Sequence, residues 1–158
     1  MSFNERTRFG LNIAHLSGGA IHLSSPTKPI KSTGTSFTGN TAQQSNGGAL
    51  NMYSGSNWIS FGDIFNVNVA LEGSGGAVSS FSSHLQFDAS TSCVQNRAQN
   101  GGGGCVFWEP NAVDIEDEKW NSFAPRIHNQ QLVSDNQASY GTALATPGAS
   151  LRIVDMLE

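Results

Sequence analysis

The chain has 158 residues, only 13% of them charged, and a net charge of −4. That length suits one domain, and the acidic balance with so few cations excludes the basic face that nucleic acid requires. No apolar run is long enough to span a membrane as a helix.

The N-terminal MSFNERTRF lacks the apolar core of a signal peptide and reads instead as part of a structural repeat. The first clear copy follows at once, FGLNIAHLSGGAI (Phe9 to Ile21). It combines a Phe, an Asn three residues on, an Ala two further, and a closing Gly-Gly-Ala-aliphatic. FTGNTAQQSNGGAL (Phe37 to Leu50), FNVNVALEGSGGAV (Phe65 to Val78), CVQNRAQNGGGGCV (Cys93 to Val106) and VSDNQASYGTAL (Val133 to Leu144) repeat it. The asparagines are Asn12, Asn40, Asn68, Asn96 and Asn136, so three intervals are 28 residues and the last is 40. A unit of that length is one supersecondary element that must stack on its neighbours.

Helices are excluded as the unit, because no stretch sustains apolar residues at helical spacing. What recurs is short runs rich in Ile, Val, Phe and Thr, punctuated by Gly or Asn, which is the strand pattern. NWISFGDIF, HLQFD and LRIVD are examples. Strands that recur once per unit pair in parallel with their own copies. The expected fold is all-β: a right-handed, single-stranded parallel β-helix of about five rungs, each with about three short strands. Residues 1–158 form one solenoid segment.

Stacking turns the repeat into columns. Phe9, Phe37, Phe65, Cys93 and Val133 form an apolar column expected to point inward and stack. The five asparagines form a ladder in which each buried amide satisfies its neighbour, and Asn also tolerates the left-handed backbone of a corner. Ala14, Ala42, Ala70, Ala98 and Ala138 leave room beside it. Ile21, Leu50, Val78, Val106 and Leu144 form an aliphatic stripe after the glycine corner. A weaker column is Phe3, Lys31, Ile59, Phe87 and Ile127, with Ile30 beside the misfit Lys31 suggesting a slip of one residue. The principal site expectation is therefore structural: the Asn ladder with Phe9, Phe37 and Phe65.

The fourth copy places two cysteines, Cys93 and Cys105, in core columns of one rung. They could close an internal disulfide; the alternative is a pair of packed thiols. Twelve extra residues then enlarge the interval, giving an insertion loop at 109–126 that holds Glu109, Asp114, Glu116, Asp117 and Glu118. Its acidity suggests a calcium site, but the spacing matches no calcium loop, and a solvated loop is the plainer expectation. At the C-terminus, LRIVD reads as a strand of a sixth rung. Both ends thus expose strand edges, an arrangement natural proteins avoid. This leads to the expectation that other repeats of a longer chain cover the ends, or that copies associate end to end.

Catalytic patterns are absent. A glycosidase needs two facing carboxylates, and Asp63 and Asp88 sit at different offsets from their asparagines. His84 with Asp88 is a local pair on one strand. The four histidines fall in four columns without metal spacing. The glycines at 101–104 lack the Lys-Ser/Thr of a phosphate loop. No catalytic, cofactor-binding or metal site is therefore expected. The alternative is a carbohydrate-binding or polysaccharide-cleaving β-helix, with Trp58, Tyr53, Trp108 and Trp120 off the core as a sugar-stacking groove.

The pairing of Phe-x-x-Asn with Gly-Gly-Ala-(Ile/Leu/Val), in FTGN with GGAL, FNVN with GGAV and Phe9 to Asn12 with GGAI, resembles the repeats of polymorphic outer membrane proteins, the chlamydial autotransporter family. The fourth and fifth copies depart, with Cys93 and Val133 for Phe, GGGGCV, and GTAL. The resemblance implies a β-helix passenger located extracellularly or at the cell surface. It further implies a role in adhesion or as a wall, with a cell-surface receptor or glycan as partner.

Overall fold

The computed structural model describes residues 1–26, 28–110, 125–129 and 132–146. Among the described residues there are four five-stranded parallel sheets, and each strand pairs with its copy in the neighbouring repeat. The chain is a parallel β-solenoid in which five copies of the strand set stack over about four full turns; the copies, in chain order, are called the first to fifth turns. No helix among the described residues is long and apolar enough to cross a membrane.

Each turn carries four strands, one more than the sequence pattern suggested. The first sheet holds Ser2–Phe3, Ile30–Thr33, Asn57–Phe61, His84–Phe87 and Arg126–Ile127. The second holds Arg8–Gly10, Ser36–Thr38, Ile64–Asn66, Ser92–Val94 and Val133–Ser134. The third holds Ile13–Ala14, Thr41–Ala42, Val69–Ala70, Arg97–Gly102 and Gln137–Tyr140. The fourth holds Ile21–Ser24, Leu50–Tyr53, Val78–Phe81, Val106–Glu109 and Leu144–Ala145.

The extra strand arises because the Phe-x-x-Asn-x-Ala unit is broken by one residue with positive φ. That residue is not the Asn, as its tolerance for this backbone suggested, but the one before it: Leu11, Gly39, Val67, Gln95 and Asp135 have φ between 55° and 66°. A single left-handed residue bends the chain from the second sheet into the third while the parallel bonding continues, as in Val67 N–H to the Val94 carbonyl. At Val67 the conformation is costly for a β-branched residue, so surrounding bonds must hold it.

Registers in the second, third and fourth sheets follow the 28-residue columns. Phe65 pairs with Phe37 and Cys93, Ala70 with Ala42 and Ala98, and Val78 with Leu50 and Val106. The first sheet departs from its expected column. Ile30 pairs with Trp58 and Trp58 with Leu85, while Phe3 pairs with Ser32, Ser32 with Ser60 and Ser60 with Phe87. Lys31 and Ile59 therefore point outward, and the buried partners are Ile30, Trp58 and Leu85 beside Ser32 and Ser60.

The interior is aromatic at one side and aliphatic at the other. Phe9, Phe37 and Phe65 stack face to face, with ring centroids 5.0 and 4.7 Å apart. Phe87 continues the stack at 5.3 Å, and Trp58 meets Phe37 edge-on at 5.9 Å. Leu50, Met52, Val78 and Val106 close the opposite wall.

Candidate functional site

The Asn column builds a continuous amide ladder. At each step the Oδ1 of one Asn accepts both the backbone N–H and an Nδ2 hydrogen of the Asn in the preceding turn. The Nδ2–Oδ1 distances are 2.8 Å (Asn12 to Asn40), 2.9 Å (Asn40 to Asn68), 2.9 Å (Asn68 to Asn96) and 3.0 Å (Asn96 to Asn136). The second Nδ2 hydrogen goes back to the carbonyl at the Phe position. Asn40 donates to Phe9, Asn68 to Phe37, Asn96 to Phe65 and Asn136 to Cys93. Asn40, Asn68 and Asn96 are fully buried, and each amide has both donors and its acceptor in use. Buried polar groups are costly unless satisfied in this way, so the three inner amides of the ladder are structural and have no capacity left for a ligand.

In the fourth turn, Cys93 and Cys105 are joined by a disulfide, with Cα atoms 6.0 Å apart. Both are fully buried. The bond crosses the interior at the place where the Phe stack ends, filling the volume that a Phe leaves empty.

Asp63 and Asp88 are out of register, yet the fold brings them to one corner between the first and second sheets. Asp63 occupies the place that neighbouring turns give to Thr7, Thr35 and Thr91, each 28 residues apart. This Thr column is the sequence signal that would have located it. Asp63 is fully buried. Its Oδ1 accepts the Thr35 N–H at 2.8 Å and its Oδ2 accepts the Ser60 hydroxyl. Burial raises its pKa above the ordinary 3.8, against the opposing bonds from Ser60 and Thr35, and the nearby Asp88 charge pushes the same way.

Asp88 faces outward and is saturated with donors. Its Oδ1 accepts Gly62 N–H at 2.9 Å, Ser90 N–H at 3.2 Å and the Thr91 hydroxyl at 2.7 Å; its Oδ2 accepts the Ser90 hydroxyl at 2.7 Å. Partial burial alone would raise this carboxyl. The bonds from Gly62, Thr91 and Ser90 outweigh it and hold the pKa at about 2. The corner therefore presents one sealed carboxyl and one fully engaged carboxylate, not a pair facing a cleft. His84 lies on the strand before Asp88, at an intermediate exposure.

The alternative reading of Trp58, Tyr53, Trp108 and Trp120 as an off-core aromatic groove is not met by two of them. Trp58 and Trp108 are core residues, 0% and 5% exposed. Trp120 lies outside the described residues, as do Asp114, Glu116, Asp117, Glu118 and the LRIVD segment. Tyr53 is partly exposed on the outer face of the fourth sheet, with Phe81 at 5.2 Å and His22 at 5.9 Å. Among the described residues no three His, Cys, Asp or Glu side chains converge on a metal-sized site.

The feature that sequence columns did not single out is on the outside. Around the Asn corner, Leu11, Ile13, Leu16, Ile64 and Val67 are exposed by 81, 68, 63, 47 and 45%. Leu11 and Val67 are corner residues, Ile64 and Ile13 lie on strands of the second and third sheets, and Leu16 follows Ile13–Ala14. All belong to the first and third turns, so the apolar stripe beside this corner is interrupted at the second turn by Gly39, Thr41 and Gln44. No family model, curated protein or solved structure matches the chain.

Proposed function

We propose that this chain is a non-catalytic segment of an extracellular or cell-surface protein, in which the coil serves to present a rigid side surface for adhesion or assembly. The observation that carries the reading is the exposed apolar stripe of Leu11, Ile13, Leu16, Ile64 and Val67 on the outside of a coil whose inner Asn amides are occupied by their own ladder. Apolar patches of this kind on a rigid scaffold mark contact surfaces. The repeat's likeness to polymorphic outer membrane proteins supports the same assignment, as does the buried disulfide, a bond that persists in oxidising compartments. The partner would be a cell-surface receptor or glycan. No cofactor enters this function.

One observation favours a second reading, glycan binding or cleavage on the outer face of the fourth sheet: the Tyr53–Phe81 pair with His22 beside it. Binding to arrays of matrix proteins and of glycans separates the two. Ile13→Thr with Leu16→Gln places on the first turn the side chains that the second turn already carries at Thr41 and Gln44, so the fold should tolerate both. The stripe reading expects this variant to lose binding at unchanged melting temperature, and Tyr53→Ala to retain it. Loss confined to Tyr53→Ala, or turnover of a polysaccharide, would install the second reading instead.

A further inference from the structure

The two ends of the ladder are chemically complementary. At the first turn, Asn12 is exposed, and among the described residues no donor reaches its Oδ1. At the fifth turn, no acceptor among the described residues takes the backbone N–H and second Nδ2 hydrogen of Asn136, the donors that every earlier Asn gives to a following Oδ1. Amide chemistry alone would therefore let copies join head to tail, continuing one coil.

The glycine corner opposes this. Its second glycine lies against the backbone of the following turn at all four described interfaces. A Cβ on Gly19 would come within 2.1 Å of the Gly48 carbonyl oxygen, on Gly48 within 2.1 Å of that of Gly76, on Gly76 within 2.2 Å of that of Gly104, and on Gly104 within 2.4 Å of the Thr142 carbonyl oxygen. The same Cβ would also press on the amide nitrogen after the following Asn, at 2.7 Å from Thr41, 2.5 Å from Val69, 2.5 Å from Arg97 and 2.8 Å from Gln137. Backbone on both sides leaves nothing that can turn aside. In the fifth turn the residue at this position is Thr142, which carries a branched Cβ.

We infer that Thr142 is a stop residue: it bars a following turn from stacking in register on the fifth turn, and so keeps copies of this chain from polymerising head to tail. The exclusion applies to any turn of this geometry, from the same chain or another. It leaves the first-turn edge open only to a turn that brings a glycine beneath Gly19, which this chain's own fifth turn does not. The end-to-end association expected from the open strand edges is thereby blocked at one end by a single side chain.

The test uses the full chain. Thr142→Gly removes the obstruction, and Thr142→Ser keeps a Cβ. In both backgrounds and in the natural sequence, Gly10→Cys and Ser134→Cys report the junction. Continuing the register Gly10–Thr38–Asn66–Val94–Ser134 places residue 10 of one copy beside residue 134 of the next. Within one copy these positions are four turns apart and cannot bond. The expected result is a concentration-dependent rise in mass by light scattering, and a ladder of oxidised multimers, for Thr142→Gly alone. Equal cross-linking with Thr142 present, or a Thr142→Gly chain that stays single at high concentration, would overturn the inference. Either outcome leaves the side-surface reading standing, because neither position 142 nor the reporter pair belongs to the stripe.

Discussion

Asn68 shows how much one side chain can hold. Its amide accepts from Asn40, donates to Asn96 and caps the Phe37 carbonyl, all inside the coil. Asp63 shows the opposite case, a buried carboxyl that accepts from the Thr35 N–H and the Ser60 hydroxyl, with no cation beside it among the described residues. Its pKa is raised, so the folded state holds that proton more tightly than the unfolded chain. The stability this gives is complete below 3.8, is lost as pH rises through the folded value, and leaves a cost at neutral pH. Asp63→Asn keeps an acceptor for Thr35 N–H and offers a donor to Ser60, so it is expected to be more stable than the natural chain at neutral pH. The advantage should vanish by about pH 3. Asp88 runs the other way: its pKa is lowered to about 2, so its contribution is present above 3.8 and is lost as pH falls toward 2. Asp88→Asn should therefore weaken the fold at neutral pH and converge with the natural chain in acid. Urea unfolding across pH checks both signs, and a stability loss for Asp63→Asn at neutral pH would contradict the first.

At the scale of the elements, the corners decide what the strands can do. Gly48→Ala would drive a Cβ within 2.1 Å of the Gly76 oxygen and 2.5 Å of the Val69 nitrogen. It should cost at least about 3 kcal/mol, among the large single-site effects. Gly10→Ala, whose nearest new neighbour is the Thr38 oxygen at 3.8 Å, should stay within about 0.5 kcal/mol. Equal effects in denaturant titration would refute the close-approach account of the corner. The 28-residue spacing made three sheets and their registers legible, because each has an apolar or small residue in every copy. The first sheet was misread for a physical reason. Its inward positions include Ser32 and Ser60, beside the buried Asp63, while Lys31 and Ile59 face out, so the usual apolar-in pattern is inverted there. Trp58 was misplaced with it. The fourth strand of each turn was hidden because the residue that separates it has no fixed identity: Leu11, Gly39, Val67, Gln95 and Asp135 share a backbone conformation and nothing else.

For the whole molecule, each turn contacts only its neighbours, so rigidity comes from ladders that run through all of them. The buried amides of the Asn ladder are consumed by turn-to-turn bonds, and the exposed apolar side chains beside the Asn corner carry the proposed contact role. The outer stripe was not legible because outward positions follow no column; they are visible only once the inward ones are assigned. The central claim is that the interior is closed and serves as scaffold, and hydrogen exchange at the side-chain amides of Asn40, Asn68 and Asn96 tests it most directly. If these protons are protected as strongly as the backbone amides of the strands around them, they meet solvent only when the coil unfolds, and function belongs to the outer surface. If they exchange at the rate of free asparagine, the ladder opens in the folded state, and the scaffold account is wrong.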